Sequence, residues 1–62
     1  MPWTESNYPA AMKNLPADVR RKAIEIANAL FEQGRMEEGL VIATAIKRAK
    51  EWAKKNKIVF PK

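Results

Sequence analysis

Apolar residues recur every three or four positions between residues 16 and 33, which predicts an amphipathic helix over that stretch. Pro16 suits the beginning of a helix. Asp18 places a negative charge in the first turn, where the helix dipole favours it. Gly34 is expected to end the helix as a left-handed residue. The predicted buried stripe consists of Val19, Ala23, Ile26, Ala27 and Leu30, widened on one side by Ile24 and Phe31.

A second helical pattern covers residues 36 to 55, and Asn56 is expected to end it. Its apolar face is predicted to contain Ile42, Ala45, Ile46, Ala49, Trp52 and Ala53. Its opposite face carries Thr44, Lys47, Arg48, Lys50, Glu51, Lys54 and Lys55. A short connection makes two such helices pack antiparallel. The alanines along the seam allow the helices to approach each other closely.

The two ends of the chain have different patterns. Residues 1–15 are expected to form an arm and a single helical turn, because Pro2 and Pro9 restrict the backbone. Trp3 and Tyr8 in this arm are expected to pack on the helices. Residues 58–62 are predicted to be a short extended segment. The predicted fold is therefore mostly α, an antiparallel two-helix hairpin with an ordered arm and an extended tail, forming one domain over residues 1–62.

The composition argues against several chemistries. The 62 residues include no cysteine and no histidine, so thiolate and imidazole chemistry is missing and no metal or cofactor is expected. Glu37 and Glu38 are adjacent, but no second carboxylate cluster joins them, and we expect no catalytic activity and no small-molecule substrate. The longest apolar run, Leu40 to Ala43, is far shorter than the roughly 20 residues of a membrane span. The start of the chain does not resemble a signal peptide, so the expected location is cytoplasmic.

The positive charge is concentrated in the last quarter of the chain. Residues 1–46 hold five basic and six acidic side chains, whereas residues 47–62 hold seven basic side chains and one acidic one. Five of these cations lie on the second helix and are called the basic face: Lys47, Arg48, Lys50, Lys54 and Lys55. Such a face binds nucleic-acid phosphates without reading bases, or it is simply a solvated surface. The acidic first turn of the helix, Met36 to Gly39, disfavours major-groove recognition.

Self-association or binding of a protein partner is the leading functional hypothesis. The chain is short, yet it carries many large apolar side chains, and Trp3, Tyr8, Phe31 and Phe60 are the candidate interface residues. Trp52 is instead expected in the core. Asn28 lies near the edge of the core face, where we expect its side chain to hydrogen-bond the arm or the chain turn, with a partner contact as the alternative. Non-specific nucleic-acid binding through the basic face is the second functional hypothesis.

Several segments give the chain a family resemblance. These are Met1-Pro2-Trp3, Tyr8-Pro9, Met12 to Leu15, Lys22 to Leu30 and Glu51-Trp52-Ala53. Over residues 1 to about 53 the chain resembles a family of short, uncharacterised bacterial proteins. The resemblance implies a bacterial origin but no activity and no functional residue. Members of that family often continue into a small β-rich region, which in this chain is expected to be absent or reduced to one strand at residues 58–62.

A second similarity rests on the Leu15-Pro16 pair, the first helix and an alanine-rich helix that ends in tryptophan. With these features the chain is similar to the ChaB cation-transport-regulator family. No site residue follows from this similarity.

Overall fold

A computed structural model describes residues 3–56 of the chain. A 3-10 turn (Ala10–Met12) is followed by helix α1 (Ala17–Gln33) and helix α2 (Glu38–Lys55). The two helices pack along their lengths as a hairpin. The prediction of a mostly α hairpin preceded by a short helical turn is therefore confirmed. The predicted extended segment 58–62, including Phe60, lies outside the described residues.

The helix boundaries differ slightly from the prediction. Helix α1 begins at Ala17, since Pro16 itself has an extended backbone with ψ 151°. Gly34 ends the helix as predicted, with φ 66° and its N–H bonded to the Phe31 carbonyl. Helix α2 begins at Glu38, two residues later than predicted, because Glu37 is still extended (ψ 151°) as the chain reverses direction. The apolar periodicity does not resolve this boundary, since residues 35–37 contribute to the connection rather than to a helical face.

The core lies along the seam between the helices. Helix α1 contributes Val19, Ala23, Ile24, Ala27 and Leu30, and helix α2 contributes Val41, Ala45, Ala49 and Ala53. The α2 residues follow each other at four-residue intervals, so they form one straight ridge on the helix. Their small side chains let the two helix backbones approach closely.

The predicted core face of α2 is partly wrong. Ile42, Ile46 and Trp52 pack against the core but are only half-buried, whereas Val41, which the prediction omitted, is fully buried. Ile26 on α1 is likewise half-buried. The reason is geometric, because the alanine ridge occupies the centre of the seam and leaves no room for larger side chains there. These larger side chains therefore lie on either side of the ridge.

Met12 completes the core from outside the helices. It is fully buried and ends the 3-10 turn, whose N–H groups at Met12 and Lys13 bond to the carbonyls of Pro9 and Ala10. The residues that follow the turn are held to α1 by Arg20, whose Nη1 donates to the Leu15 carbonyl at 3.3 Å. Two narrow helices leave their seam open on one side, and Met12 fills part of it.

The two glycines give a matched test of the hairpin connection. Gly34→Ala is expected to lower the free energy of unfolding by about 1 kcal/mol, because an L-residue is strained at φ 66°. Gly39 lies in the first turn of α2 with open space around its Cβ position. Gly39→Ala is therefore expected to raise the free energy of unfolding by up to about 1 kcal/mol. Urea denaturation followed by circular dichroism measures both. Equal effects of the two substitutions would contradict this account of the connection.

Candidate interaction surfaces

The N-terminal arm is bound to α1 by one buried side chain. The Asn28 amide donates to the Trp3 carbonyl at 3.0 Å, and its Oδ1 accepts the Trp3 N–H at 3.1 Å. Asn28 is only 5% exposed, whereas Trp3 is half-buried, so both bonds are partly shielded from water. The predicted hydrogen bond between Asn28 and the arm is confirmed. Farther along the arm, Glu5 forms an exposed ion pair with Arg21 at 2.9 Å.

The aromatic residues of the arm pack against other side chains of the protein. Trp3 packs edge-on against Phe31 with 5.4 Å between ring centroids, and Tyr8 lies beneath the Arg20 guanidinium at 5.1 Å. Trp3 and Tyr8 are half-buried against the core, as expected from the sequence. Phe31 stays 42% exposed, and Leu40, which the sequence analysis did not single out, is 55% exposed. Of the candidate interface residues, the structure thus brings Trp3 and Phe31 together, and Phe60 lies outside residues 3–56.

The basic face is solvent-exposed along its whole length. All five of its side chains are classed as exposed. At 100° per residue they fan over about 160° of the helix, and Lys47, Lys50 and Lys54 form a row about 10 Å long. The ion pairs found within residues 3–56 join Arg21 to Glu5 and Lys22 to Glu25, so neither involves this face. Lys54 and Lys55 also complement the dipole at the end of α2.

An apolar groove of about 490 Å³ lies at the open end of the hairpin, where α1 begins and α2 ends. It separates the 3-10 turn and its following residues from the second half of α2. Within residues 3–56, the groove is lined by Ala11, Asn14, Leu15, Pro16, Ile46, Lys50, Glu51 and Lys54. Lys50 and Lys54 belong to the basic face as well, so the groove opens directly onto it. The sequence analysis missed this groove, because only the packing of the turn places its residues opposite α2.

Two further grooves have different chemistry. One, of about 270 Å³, lies beside Trp52, where the Lys22 ammonium is 5.5 Å from the indole ring and bonds to Glu25 at 3.0 Å. The other, of about 510 Å³, lies between the arm and α1, where Arg21 pairs with Glu5. The cations that line these two grooves, Arg21 and Lys22, already have carboxylate partners within the protein. The groove at the open end differs, because none of the ion pairs of the described region involves its lysines.

Within residues 3–56, no group of three or more carboxylate side chains is placed to hold a metal ion. In the same range, neither helix has the length and hydropathy required to cross a bilayer.

Comparison with known proteins shows one informative similarity. The chain is 55% identical over 53 residues to the uncharacterised protein YdaT of Bacillus subtilis (strain 168). The match takes in 86% of this chain but 35% of the relative, so the chain spans about a third of that relative's length. This similarity supports the predicted relationship to uncharacterised bacterial proteins. No protein-family model matches the chain, so the ChaB similarity is not confirmed, and no solved structure matches it.

Asn28→Ala is expected to release the arm. It removes both hydrogen bonds to Trp3 and leaves the backbone groups of Trp3 without their partner, at a cost of about 1–3 kcal/mol. The Trp3 indole signal in the NMR spectrum should shift toward that of an exposed tryptophan. Glu5→Gln is the control, since it removes an exposed contact of the same arm and should cost under about 1 kcal/mol. If the two variants have the same stability, Asn28 does not hold the arm.

Proposed function

We propose that this protein is a non-enzymatic protein-interaction module whose partner binds at the open end of the hairpin. The observation that carries the proposal is the groove of about 490 Å³ there. Its lining includes the apolar residues Leu15, Pro16 and Ile46, which are called the groove floor. Concave surfaces with an apolar lining and a few polar groups at the edge are typical of binding sites. Ile46 and Leu15 are half-buried, so each still presents apolar surface to a partner.

The composition supports a binding role rather than catalysis. The sequence offers neither histidine nor cysteine, and within residues 3–56 the groove is lined by a single carboxylate, Glu51. Acid–base catalysis draws on titratable side chains set within reach of a substrate. The groove contributes apolar surface and positive charge instead.

The groove is a better candidate interface than the aromatic arm. The rings of Trp3 and Tyr8 already contact Phe31 and Arg20, so much of their surface is committed to the fold. Phe31 and Leu40 are exposed, but single exposed apolar side chains are common on protein surfaces. A contiguous apolar groove is the more specific signal.

Photo-crosslinking in cells that naturally produce the chain tests the proposal. A benzophenone amino acid replaces Ala11, which is exposed and lines the groove, or Ala43, an equally exposed alanine of α2 outside its lining. We expect a discrete protein adduct from position 11 and none from position 43. An adduct of twice the 7.1 kDa of the chain would identify a second copy as the partner. Absence of adducts, or identical adducts from both positions, would contradict the proposal.

The captured protein, once identified and purified, should bind the full chain through the groove floor. Ile46→Ser should weaken this binding about tenfold or more, because an apolar contact of one large side chain is lost. Ile42→Ser is the matched control, one turn earlier on the same helix, half-buried as well and outside the groove lining. Equal weakening by both substitutions would indicate a general loss of folding instead of a lost contact.

The basic face supports a second candidate function, binding of nucleic-acid phosphates. Its five cations are exposed, and the ion pairs of the described region lie elsewhere. A gel-shift titration with mixed DNA and RNA at two salt concentrations tests this function. Binding should weaken steeply with salt, in proportion to the number of phosphates contacted.

Two double variants with the same change in net charge locate such binding. Lys47→Glu with Lys54→Glu alters the basic face and should lower nucleic-acid affinity more than tenfold. Lys13→Glu with Arg35→Glu alters two exposed cations elsewhere and should have a much smaller effect. A similar loss in both variants would mean general attraction by net charge. Absence of binding even at low salt would exclude this second function.

A further inference from the structure

We infer that the partner at the open end of the hairpin is an acidic peptide segment with regularly spaced apolar side chains. This inference rests on the proposed function and specifies the chemistry of the partner. The groove combines an apolar floor, formed by Leu15, Pro16 and Ile46, with two cations, Lys50 and Lys54. A segment that matches both features presents apolar side chains to the floor and carboxylates to the lysines.

Charge complementarity selects an acidic partner over a neutral or basic one. Lys50 and Lys54 are exposed, and the ion pairs within residues 3–56 do not involve them. Lys47 lies one turn before them in the same row and extends the positive surface beyond the groove. Glu51 is the single acidic residue in the lining. A basic segment would therefore meet mostly like charges, which are unfavourable at an interface.

The neighbouring grooves do not offer the same combination. Arg21 and Lys22, which line the groove beside Trp52, are each bonded to a carboxylate of this chain. A carboxylate of a partner would have to compete with these existing pairs. At the open end, no ion pair of the described structure would compete with a partner carboxylate for Lys50 and Lys54.

The floor of the groove also argues for a peptide rather than a nucleic acid. Among the described residues, its lining contains aliphatic side chains and a proline but no aromatic ring on which a base would stack. From Ile46 to Lys54 the α2 edge of the groove is about 12 Å long. This length matches about four residues of an extended peptide or two turns of a helix, enough for two or three apolar side chains.

The experiment uses the full chain and a synthetic twelve-residue peptide of glutamate with leucine at every third or fourth position. Amide NMR spectra should show its binding through shifts at Ala11, Asn14 and Ile46. A peptide with lysine in place of glutamate, and one with serine in place of leucine, should each bind at least tenfold more weakly. Equal binding of the serine peptide would mean that charge alone is recognised and would overturn the inference.

Two charge reversals on the same helix locate the contact. Lys50→Glu with Lys54→Glu should weaken binding of the acidic peptide more than tenfold. Lys47→Glu with Arg48→Glu changes the net charge equally but lies outside the groove lining, and should weaken it no more than about threefold. Equal weakening by both pairs would overturn the inference.

Other occupants give distinguishable outcomes. If the position-11 crosslinker captures a protein but the acidic peptide does not bind, the inference fails and the proposed function stands. If the crosslinked product is a second copy of the chain, or a peptide of residues 57–62 displaces the acidic peptide at lower concentration, another occupant fills the groove and the inference also fails. If neither an adduct nor peptide binding is found, both the proposed function and the inference fail.

Discussion

The close approach of the two helices along the alanine ridge of α2 is the interaction on which the rest of the structure depends. Ala45, Ala49 and Ala53 are fully buried against α1. The distance between two helix axes depends on the size of the side chains at their contact, and small side chains make it shorter. Each alanine buries little apolar surface, however, so the ridge alone gives a thin core.

That thin core explains why the residues before α1 are built into the fold. Met12 fills the open side of the seam, and the arm lies along α1 through the Asn28 and Trp3 hydrogen bonds. A chain of this length has little surface to bury and needs such additional layers. The aromatic residues that suggest an external interface in the sequence are thereby used to cover the protein's own core.

In this packing, the cations of α1 and the cations of α2 have different surroundings. Two cations of α1 form ion pairs with nearby carboxylates, Arg21 with Glu5 and Lys22 with Glu25. Cations in the second half of α2 have Glu51 as the single acidic residue among them. Because the 3-10 turn and its following residues lie opposite this part of α2, an apolar groove opens beside lysines that take no part in the ion pairs found within residues 3–56. The candidate interaction surface therefore lies at the edge of the part of the core that the N-terminal arm and the 3-10 turn cover.

The sequence by itself determined the features that depend on local periodicity and local backbone preference. The two helices, the left-handed Gly34, the end at Asn56 and the one-sided distribution of lysines all follow from the order of residues along the chain. Only the tertiary structure decided which apolar residues occupy the centre of the seam, because Val41 and Ile42 fit a helical stripe almost equally well. It also decided the burial of Met12, the packing of Trp3 and Tyr8 against the core, and the existence of the groove. Each of these depends on contacts between segments far apart in the sequence, and helical periodicity carries no information about how such segments meet.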